Sequence, residues 1–144
     1  MVVQLIASAF VVMLQPTAAI QAQRLVDDFV RAHPELSALE IALTSAQGCK
    51  TVAATERKDV GEKCDDDELG PIRNGKAVVE APTKADPVYD ITQALHDASG
   101  ALIGAAGMDL KPTIGDRDAV VKRAADLLRE LEKTIQSKSW LLER

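Results

Sequence analysis

Hydrophobic residues in the first third of the chain follow a helical period and then a strand period. From about residue 18 to residue 32, apolar side chains recur every three to four positions, which predicts a helix with one buried face. Pro34 ends this pattern, because a residue that precedes proline disfavours helical backbone angles. Residues 39–44 and 50–55 are strand-like, with Gly48 in the turn between them. The pattern therefore predicts one helix followed by a β-hairpin.

The second half of the chain predicts three further strands and a long helix. Residues 76–80 form a short strand-like run, and residues 86–96 and 101–110 form two longer ones. The loop between the longer runs ends in Gly100, which favours a tight turn with glycine in a left-handed conformation. Residues 116–136 place their apolar side chains on one stripe, which predicts an amphipathic helix.

The strand-like run 101–110 is unusually rich in glycine and alanine. An apolar strand with so little side-chain volume leaves room beside it, either for a closely packed helix or for a ligand. The functional interpretation depends on this strand forming one wall of a cavity.

The acidic run 65–68 has a structural explanation. Asp65 can cap the start of a short helix, and Glu68, three residues later, completes a capping box. The run lacks the alternating ligands and the glycine of a calcium loop, so no metal site is expected here.

Residues 1–20 predict a signal peptide or, alternatively, an N-terminal helical extension of the domain. An apolar run from Leu5 to Leu14 is followed by small residues, which is similar to a secretory signal cleaved after Ala19 or, as a poorer match, after Ala22. No lysine or arginine precedes the run, so the alternative of a retained helix stays open. Residues 21–144 are expected to form one domain.

Composition narrows the range of functions. The 144 residues are 47% apolar, enough for one hydrophobic core. The formal net charge is -5, and the chain has only one tryptophan, one tyrosine and two phenylalanines. Nucleic-acid binding needs a basic patch and often aromatic stacking platforms, so a nucleic-acid partner is not expected.

Two cysteines, Cys49 and Cys64, bear on localisation. In an exported protein an even number of cysteines indicates a disulfide, whereas in a cytosolic protein the same pair would be two unrelated buried thiols. A bridge would close a loop of about 15 residues and stabilise the fold by roughly 3 kcal/mol in the loop-entropy model. We favour the bridge, and with it a periplasmic or secreted location.

Two segments resemble the Cache family of PAS-like extracytoplasmic sensor domains. His96-Asp97-Ala98-Ser99-Gly100 and the apolar strand ending in Gly107-Met108-Asp109 look like the closing hairpin of that family. Val60-Gly61-Glu62-Lys63, with the segment 74–79, resembles the loop and third strand. The resemblance covers about residues 21–136.

The resemblance implies an α+β fold with a five-stranded antiparallel sheet, a long N-terminal helix and a C-terminal helix. It also implies a pocket for a small-molecule ligand, such as a carboxylate or an amino-acid-like metabolite, on the sheet face opposite the helices. Cache domains usually signal through a transmembrane helix, whereas this chain stops at Arg144 without a second apolar span. We therefore expect output through a membrane-bound signalling partner, with a free binding protein and a homodimer left open.

Six polar residues are predicted to lie near the pocket. Tyr89 is the strongest candidate, because a phenol can pack against apolar groups while offering one hydrogen bond. Asp109 matches, by position alone, the strand aspartate of amino-acid-binding Cache domains, whose aromatic and arginine signature is missing. Each candidate also has a simpler interpretation as a solvated strand or turn residue. The predicted ligand-binding residues are Tyr89, Asp90, Thr92, Arg73, Lys76 and Asp109.

Catalysis is not expected, and neither is a cofactor. The sequence has no Gly-x-Ser-x-Gly elbow, no glycine-rich phosphate loop and no His-Glu-x-x-His motif, and it has only two histidines. Two alternatives to a sensor stay open. One is an interaction or dimerisation module without a pocket. The other is a small α+β cone isomerase with Asp90 or Asp109 as its base.

Overall fold

The computed structural model describes residues 19–144, and nearly all of the predicted signal segment 1–20 lies outside them. The strands of this part are β1 (Leu36–Ser45), β2 (Gly48–Ala54), β3 (Val78–Glu80), β4 (Tyr89–His96) and β5 (Leu102–Leu110). They form one antiparallel sheet in the order β2-β1-β5-β4-β3, so β1 and β5 pair at its centre. The helices are α1 (Ile20–Ala32), α2 (Asp66–Asn74), α3 (Arg117–Thr134) and α4 (Lys138–Leu141), with 3-10 turns at Arg57–Asp59 and Pro112–Ile114.

Both predicted hairpins are present. β1 pairs with β2, and β4 pairs with β5, each in antiparallel register. At the tip of the second hairpin the Asp97 carboxylate accepts hydrogen bonds from the Ser99 and Ala101 backbone amides. Gly100 has a φ of 89°, the left-handed conformation that the sequence predicts.

Two strands are shorter at their N-terminal ends than the sequence pattern predicts. β4 begins at Tyr89 instead of residue 86, because Pro87 has no amide hydrogen to donate to the ladder. β3 begins at Val78 instead of residue 76, after the turn at Gly75 that ends α2.

One face of the sheet carries the hydrophobic core. α1 packs on β1 and β2, and α3 packs on β4 and β5. The strand residues that point toward these helices are fully or almost fully buried, as are the residues of the helix stripes. Gln23 of α1 bonds the Ala54 carbonyl, and Gln93 of β4 bonds the Ala124 carbonyl, so the two polar side chains within this layer are satisfied. Leu141 of α4 is fully buried in the same cluster.

The opposite face of the sheet is covered by shorter elements. α2 lies over β4 and β5, and the 3-10 turn Arg57–Asp59 lies beside β2. Asp65 and Glu68 form the predicted capping box at the start of α2. A disulfide joins Cys49 and Cys64, as the sequence analysis favoured, and ties the segment before α2 to β2.

The small residues of β5 serve two different purposes. A Cβ atom on Gly104 would lie 1.9 Å from the backbone oxygen of Ala42, so glycine is required for β1 and β5 to approach. A Cβ atom on Gly107 would come no closer than 3.8 Å to Glu40 and 3.9 Å to Thr92. Gly107 therefore leaves open space above the sheet, whereas Gly104 is needed because a larger residue would collide with the neighbouring strand.

The predicted fold class, a five-stranded antiparallel α+β domain with long N-terminal and C-terminal helices, is confirmed. Within residues 19–144, no helix combines the length and the apolar character that crossing a membrane requires.

Candidate ligand pocket

A cavity of about 160 Å³ lies on the sheet face that the long helices leave uncovered. Its floor is formed by β1, β4 and β5, and its side by the segment that follows β2. Five carboxylates and one glycine line it together with four small or apolar residues. The lining residues are Ala38, Leu39, Glu40, Ala54, Thr55, Glu56, Asp59, Asp90, Gly107 and Asp109.

Three of the carboxylates come from neighbouring strands. Asp90 of β4 is the direct cross-strand partner of Asp109 of β5, and Glu40 of β1 is the partner of Gly107. Because side chains alternate along a strand, all three point to the open face while their neighbours point into the core. The sheet register thus gathers three acidic side chains around one glycine.

The Asp90 and Asp109 carboxyls hold their protons more tightly than ordinary aspartates. Burial, and after it the negative charge of Asp109, raises the pKa of Asp90 to about 6. Burial likewise raises the pKa of Asp109 to about 6, with Asp86 and Glu40 as the strongest charged neighbours. The acidic residues that surround these groups oppose their ionisation.

Glu40 is also half-buried, and burial raises the pKa of its carboxyl. The Thr51 hydroxyl donates a hydrogen bond to the Glu40 carboxylate and partly offsets this effect. The charges of Asp59, Glu62 and Asp90 act in the same direction as burial. The most strongly acting charges on all three strand carboxyls are therefore negative.

Thr92 lies beside the cavity and is 6% exposed. It is the cross-strand partner of Gly107, and its Oγ1 lies on the open face next to the space above that glycine. Its hydroxyl makes no hydrogen bond to any residue in the described part of the chain. Since no polar side-chain atom among residues 19–144 is both enclosed and without a partner, the hydroxyl opens onto free space.

The segment after β2 is held in place by local contacts. The Thr55 hydroxyl accepts a hydrogen bond from the Leu39 amide, and the Thr51 amide donates to the Glu62 carbonyl. The Cys49–Cys64 bridge closes the loop that contains Asp59. These contacts fix Glu56 and Asp59 at the side of the cavity.

The structure brings together some of the predicted site residues and separates others. Asp90 and Asp109 line the cavity, and Thr92 lies next to it. Tyr89 packs against the hydrophobic core on the other face of the sheet. Arg73, in the last turn of α2, and Lys76, just after it, are exposed and do not line the cavity. Whether any of the six binds a ligand stays a prediction.

Sequence reasoning missed Glu40, Glu56 and Asp59. A signal for Glu40 was available, because it is the only charged residue within β1, just as Asp90 and Asp109 interrupt otherwise uncharged or apolar strands. The adjacency of the three strands was not available from the sequence. Glu56 and Asp59 lie in a loop that carries no periodic pattern.

Two larger depressions are less suited to hold a ligand. One, of about 390 Å³, runs along the surface of α1, and the residues that line it within the described part of the chain all belong to that helix. The other, of about 240 Å³, lies between the end of α2, β4 and α3, and its His96 and Glu132 already pair with each other at 3.0 Å.

The carboxylates of the cavity do not form a metal centre. No group of three or more histidine, cysteine, aspartate or glutamate side chains among residues 19–144 has the geometry to hold a metal ion. The arrangement is instead suited to accept hydrogen bonds from an organic ligand, or to exchange a proton at Asp90 or Asp109.

No protein-family model matches the chain, and no curated protein matches it in sequence. Among solved structures it is similar to the GAF domain of a two-component sensor histidine kinase from Bacillus halodurans. That match has 10% identity, covers 78% of this chain and 91% of that chain, and has a TM-score of 0.55. The chain has a PAS/GAF-like fold. The PAS-like fold that the Cache resemblance implied is thereby confirmed.

Two further structures are similar to this PAS/GAF-like domain. The inducer-binding domain of a double mutant of the PobR transcription factor from Acinetobacter, in complex with 3-hydroxybenzoic acid, has 10% identity and a TM-score of 0.51, covering 79% of this chain and 94% of that one. A type II free methionine-R-sulfoxide reductase from Thermoplasma acidophilum has 13% identity and a TM-score of 0.48, covering 83% and 94%.

Proposed function

We propose that this protein is an exported sensory domain that binds a small molecule in the cavity on the open face of its sheet, without catalysis. Any signal passes to a partner protein. The fold supports this proposal, because the solved structures with a similar fold include an inducer-binding domain and a sensor-kinase domain. A shared fold alone does not assign a function, so the cavity carries the argument.

The observation that carries the proposal is the half-buried carboxyl pair Asp90 and Asp109 at the floor of an unfilled space. Placing two acidic groups side by side in a sheet costs stability, as their raised pKa values express. If this strand pair had only a structural role, the fold would be more stable with neutral residues at these positions. Groups that cost stability in a concave site are typical of binding or catalytic sites.

Export is supported by the Cys49–Cys64 disulfide, since structural disulfides persist in oxidising compartments and are rare in the cytosol. A periplasmic or secreted location is therefore part of the proposal. It is tested by titrating free thiols in denatured, unreduced protein from the exported fraction. We expect no reactive cysteine before reductant is added, and full reactivity would contradict the bridge in that compartment.

Native mass spectrometry of the protein as isolated tests ligand binding directly. A sensory domain should retain a small molecule or gain one from a metabolite library, and its melting temperature should rise with ligand concentration by mass action. A dimer with no response to any member of a broad library would favour the interaction module instead.

A second candidate function is acid–base catalysis at Asp90 or Asp109. A carboxyl with a pKa of about 6 is matched to proton transfer near neutral pH. Against it, the lining residues offer no cationic group to stabilise a developing oxyanion. Turnover of a candidate ketone or ester, with a rate that falls when Asp90→Asn and Asp109→Asn are introduced, would replace the binding proposal with this one.

A further inference from the structure

We infer that His33 is a pH-dependent latch, which joins α1 to α3 when both of its ring nitrogens carry a proton and releases this contact when one proton is lost. The inference does not depend on the proposed ligand-binding function, since it concerns the helix-covered face of the sheet and not the cavity. It is carried by the two hydrogen-bond partners of the imidazole ring, both of which are acceptors.

His33 ends α1, and its side chain reaches α3. Its Nδ1 lies 2.8 Å from the backbone oxygen of Phe29, in the last turn of α1, and its Nε2 lies 2.9 Å from Oε2 of Glu130. The His33 ring also packs against the Phe29 ring, with the centroids 4.2 Å apart, and the side chain is only 16% exposed. One side chain thus connects the C-terminus of α1 with the C-terminal half of α3.

Both partners of the His33 ring can only accept hydrogen bonds. A backbone carbonyl carries no proton, and an ionised carboxylate is an acceptor only. A neutral imidazole has one N–H group, so it can donate to one of the two oxygens and turns a lone pair toward the other. The imidazolium form has two N–H groups and is the form that donates to both Phe29 and Glu130.

The charges beside His33 also favour a cation at this position. Arg123 approaches the other oxygen of the Glu130 carboxylate, with Nη1 at 4.0 Å, and its Nε donates to Glu35 at 2.8 Å. Burial acts to raise the pKa of Glu35, but hydrogen bonds from its own backbone and from Arg123, with the charges of Arg123 and His33, hold it below its ordinary value. A helix C-terminus favours a positive charge as well.

Two further basic residues near the end of α1 have other partners. Lys111, just after β5, donates from Nζ to the Pro34 carbonyl at 2.7 Å. Arg31 of α1 pairs with Asp28 at 2.9 Å. Neither of them takes the place of His33 at the Glu130 carboxylate.

The second histidine of the chain has a different requirement. Nδ1 of His96 lies 3.0 Å from Oε2 of Glu132, and no residue in the range 19–144 hydrogen-bonds its Nε2. A neutral ring with its proton on Nδ1 satisfies this arrangement. Loss of one proton therefore leaves the hydrogen bond of His96 in place, whereas it breaks one of the two hydrogen bonds of His33.

The protonation of the two rings can be observed directly by nitrogen NMR of the full chain at pH 5.5 and pH 8.5. An ordinary histidine, with a pKa of about 6.5, is mostly charged at the first value and mostly neutral at the second. At pH 5.5 we expect both ring nitrogens of His33 to be protonated. At pH 8.5 we expect the remaining proton on Nδ1, bonded to Phe29, and a bare Nε2 facing Glu130.

Glu130→Gln tests whether the contact with α3 depends on pH. The amide of glutamine can accept from a charged ring and donate to a neutral one, so this contact should persist at both pH values. Relative to the unaltered protein, the melting temperature of Glu130→Gln should be about 2–4 °C more favourable at pH 8.5 than at pH 5.5. His33→Gln, which does not titrate, should show a pH trend of the same sign.

Each variant is compared with the unaltered protein at the same pH, because other groups titrate in this range. Burial raises the pKa of Asp90 and of Asp109 to about 6, and that of Glu68 to about 7. Asp118→Asn is the matched control, since Asp118 is exposed in the first turn of α3 and its loss changes the net charge equally. Its difference from the unaltered protein should be the same at both pH values.

The outcomes decide the inference in either direction. A pH trend in Glu130→Gln that is absent from Asp118→Asn supports the latch, together with the expected ring protonation. A Glu130→Gln difference that does not change with pH overturns it, and so does a neutral His33 ring that keeps its proton on Nε2. If His33→Gln does not fold, Glu130→Gln and the NMR of the unaltered protein still decide.

Discussion

The two faces of the sheet are built from the same five strands but in different ways. The face under α1 and α3 is closed by long helices, and its inward side chains are buried apolar groups or satisfied amides. The other face is covered by the nine-residue α2 and a three-residue 3-10 turn, and it holds half-buried carboxyls around a glycine. Stability and candidate function are thus divided between opposite sides of one sheet.

The comparison teaches where substitutions should be tolerated. On the helix-covered face, side chains are packed as densely as in crystals of small organic molecules, so a change in side-chain volume alters the stability of the fold. On the open face, space is left unfilled and charge is concentrated at a cost to folding. Substitutions there should change binding more than stability, and some should raise stability.

The largest expected effect separates the two glycines of β5. Gly104→Ala should destabilise the fold by more than about 3 kcal/mol, because its Cβ would overlap the Ala42 backbone. Gly107→Ala meets only ordinary contacts and should keep the wild-type melting temperature within a few degrees while weakening ligand binding. Urea denaturation of both variants measures this difference. Equal stability of the two would remove the distinction between a packing glycine and a cavity glycine.

Loss of the disulfide should have the second-largest effect on stability. Replacing Cys49 and Cys64 together by serine opens a loop of 15 residues and should cost roughly 3 kcal/mol. Because the bridge lies on the side of the 3-10 turn and α2, hydrogen exchange should rise first in that segment and leave α3 protected. Uniform loss of protection would show that the two faces unfold as one unit.

Asp90→Asn should stabilise the protein at neutral pH. Folding raises the pKa of Asp90 from 3.8 to about 6, so the folded protein binds its proton more tightly than the unfolded chain between these values. The stability that this proton contributes is fully present below the unfolded pKa and is lost as pH rises toward 6.

The asparagine variant does not undergo this loss. After allowance for solvent screening, we expect a gain of about 1 kcal/mol at pH 7.5 and almost none at about pH 3.5. Chemical denaturation at both pH values measures it, with Asp118→Asn as the control. A lower stability of Asp90→Asn at pH 7.5 would contradict the cost that we assign to burying the ionised Asp90 carboxylate.

The smallest effects are expected at Arg73 and Lys76. Both side chains are exposed and lie away from the cavity, so Arg73→Ala and Lys76→Ala should change stability by less than about 0.5 kcal/mol. Affinity for any ligand of the cavity should also be unchanged within error. A clear loss of affinity in either variant would indicate that the ligand binds near the end of α2 instead.

Much of the fold could be predicted from local sequence. The period of α1 and α3, the capping box at Asp65 and the left-handed Gly100 each depend on residues close in the chain, and each appears as expected. The strand starts were less accurate, since Pro87 limited β4 to a later start. The pairing of Cys49 with Cys64 was favoured because an even number of cysteines in an exported protein indicates a disulfide.

The candidate site could be predicted only in part. Asp90 and Asp109 were named as polar residues near the expected pocket face, and Asp109 also matched a strand aspartate of Cache domains by position. Glu40 was not named, although it is the single charged residue of β1. Tyr89 was preferred for its chemistry, but strand alternation places it on the core face. Deciding which face is the core requires knowing where the long helices pack.

The sequence by itself determined α1, α2 and α3, the two hairpins and the overall α+β character, because these depend on propensities and periods within short segments. Only the tertiary structure placed β1 next to β5 and so brought Glu40 to Gly107, more than sixty residues away in the chain. Only it revealed that the carboxyls of three strands share one small space. Strand order is decided by how the whole core packs, and the charge of the cavity follows from that order.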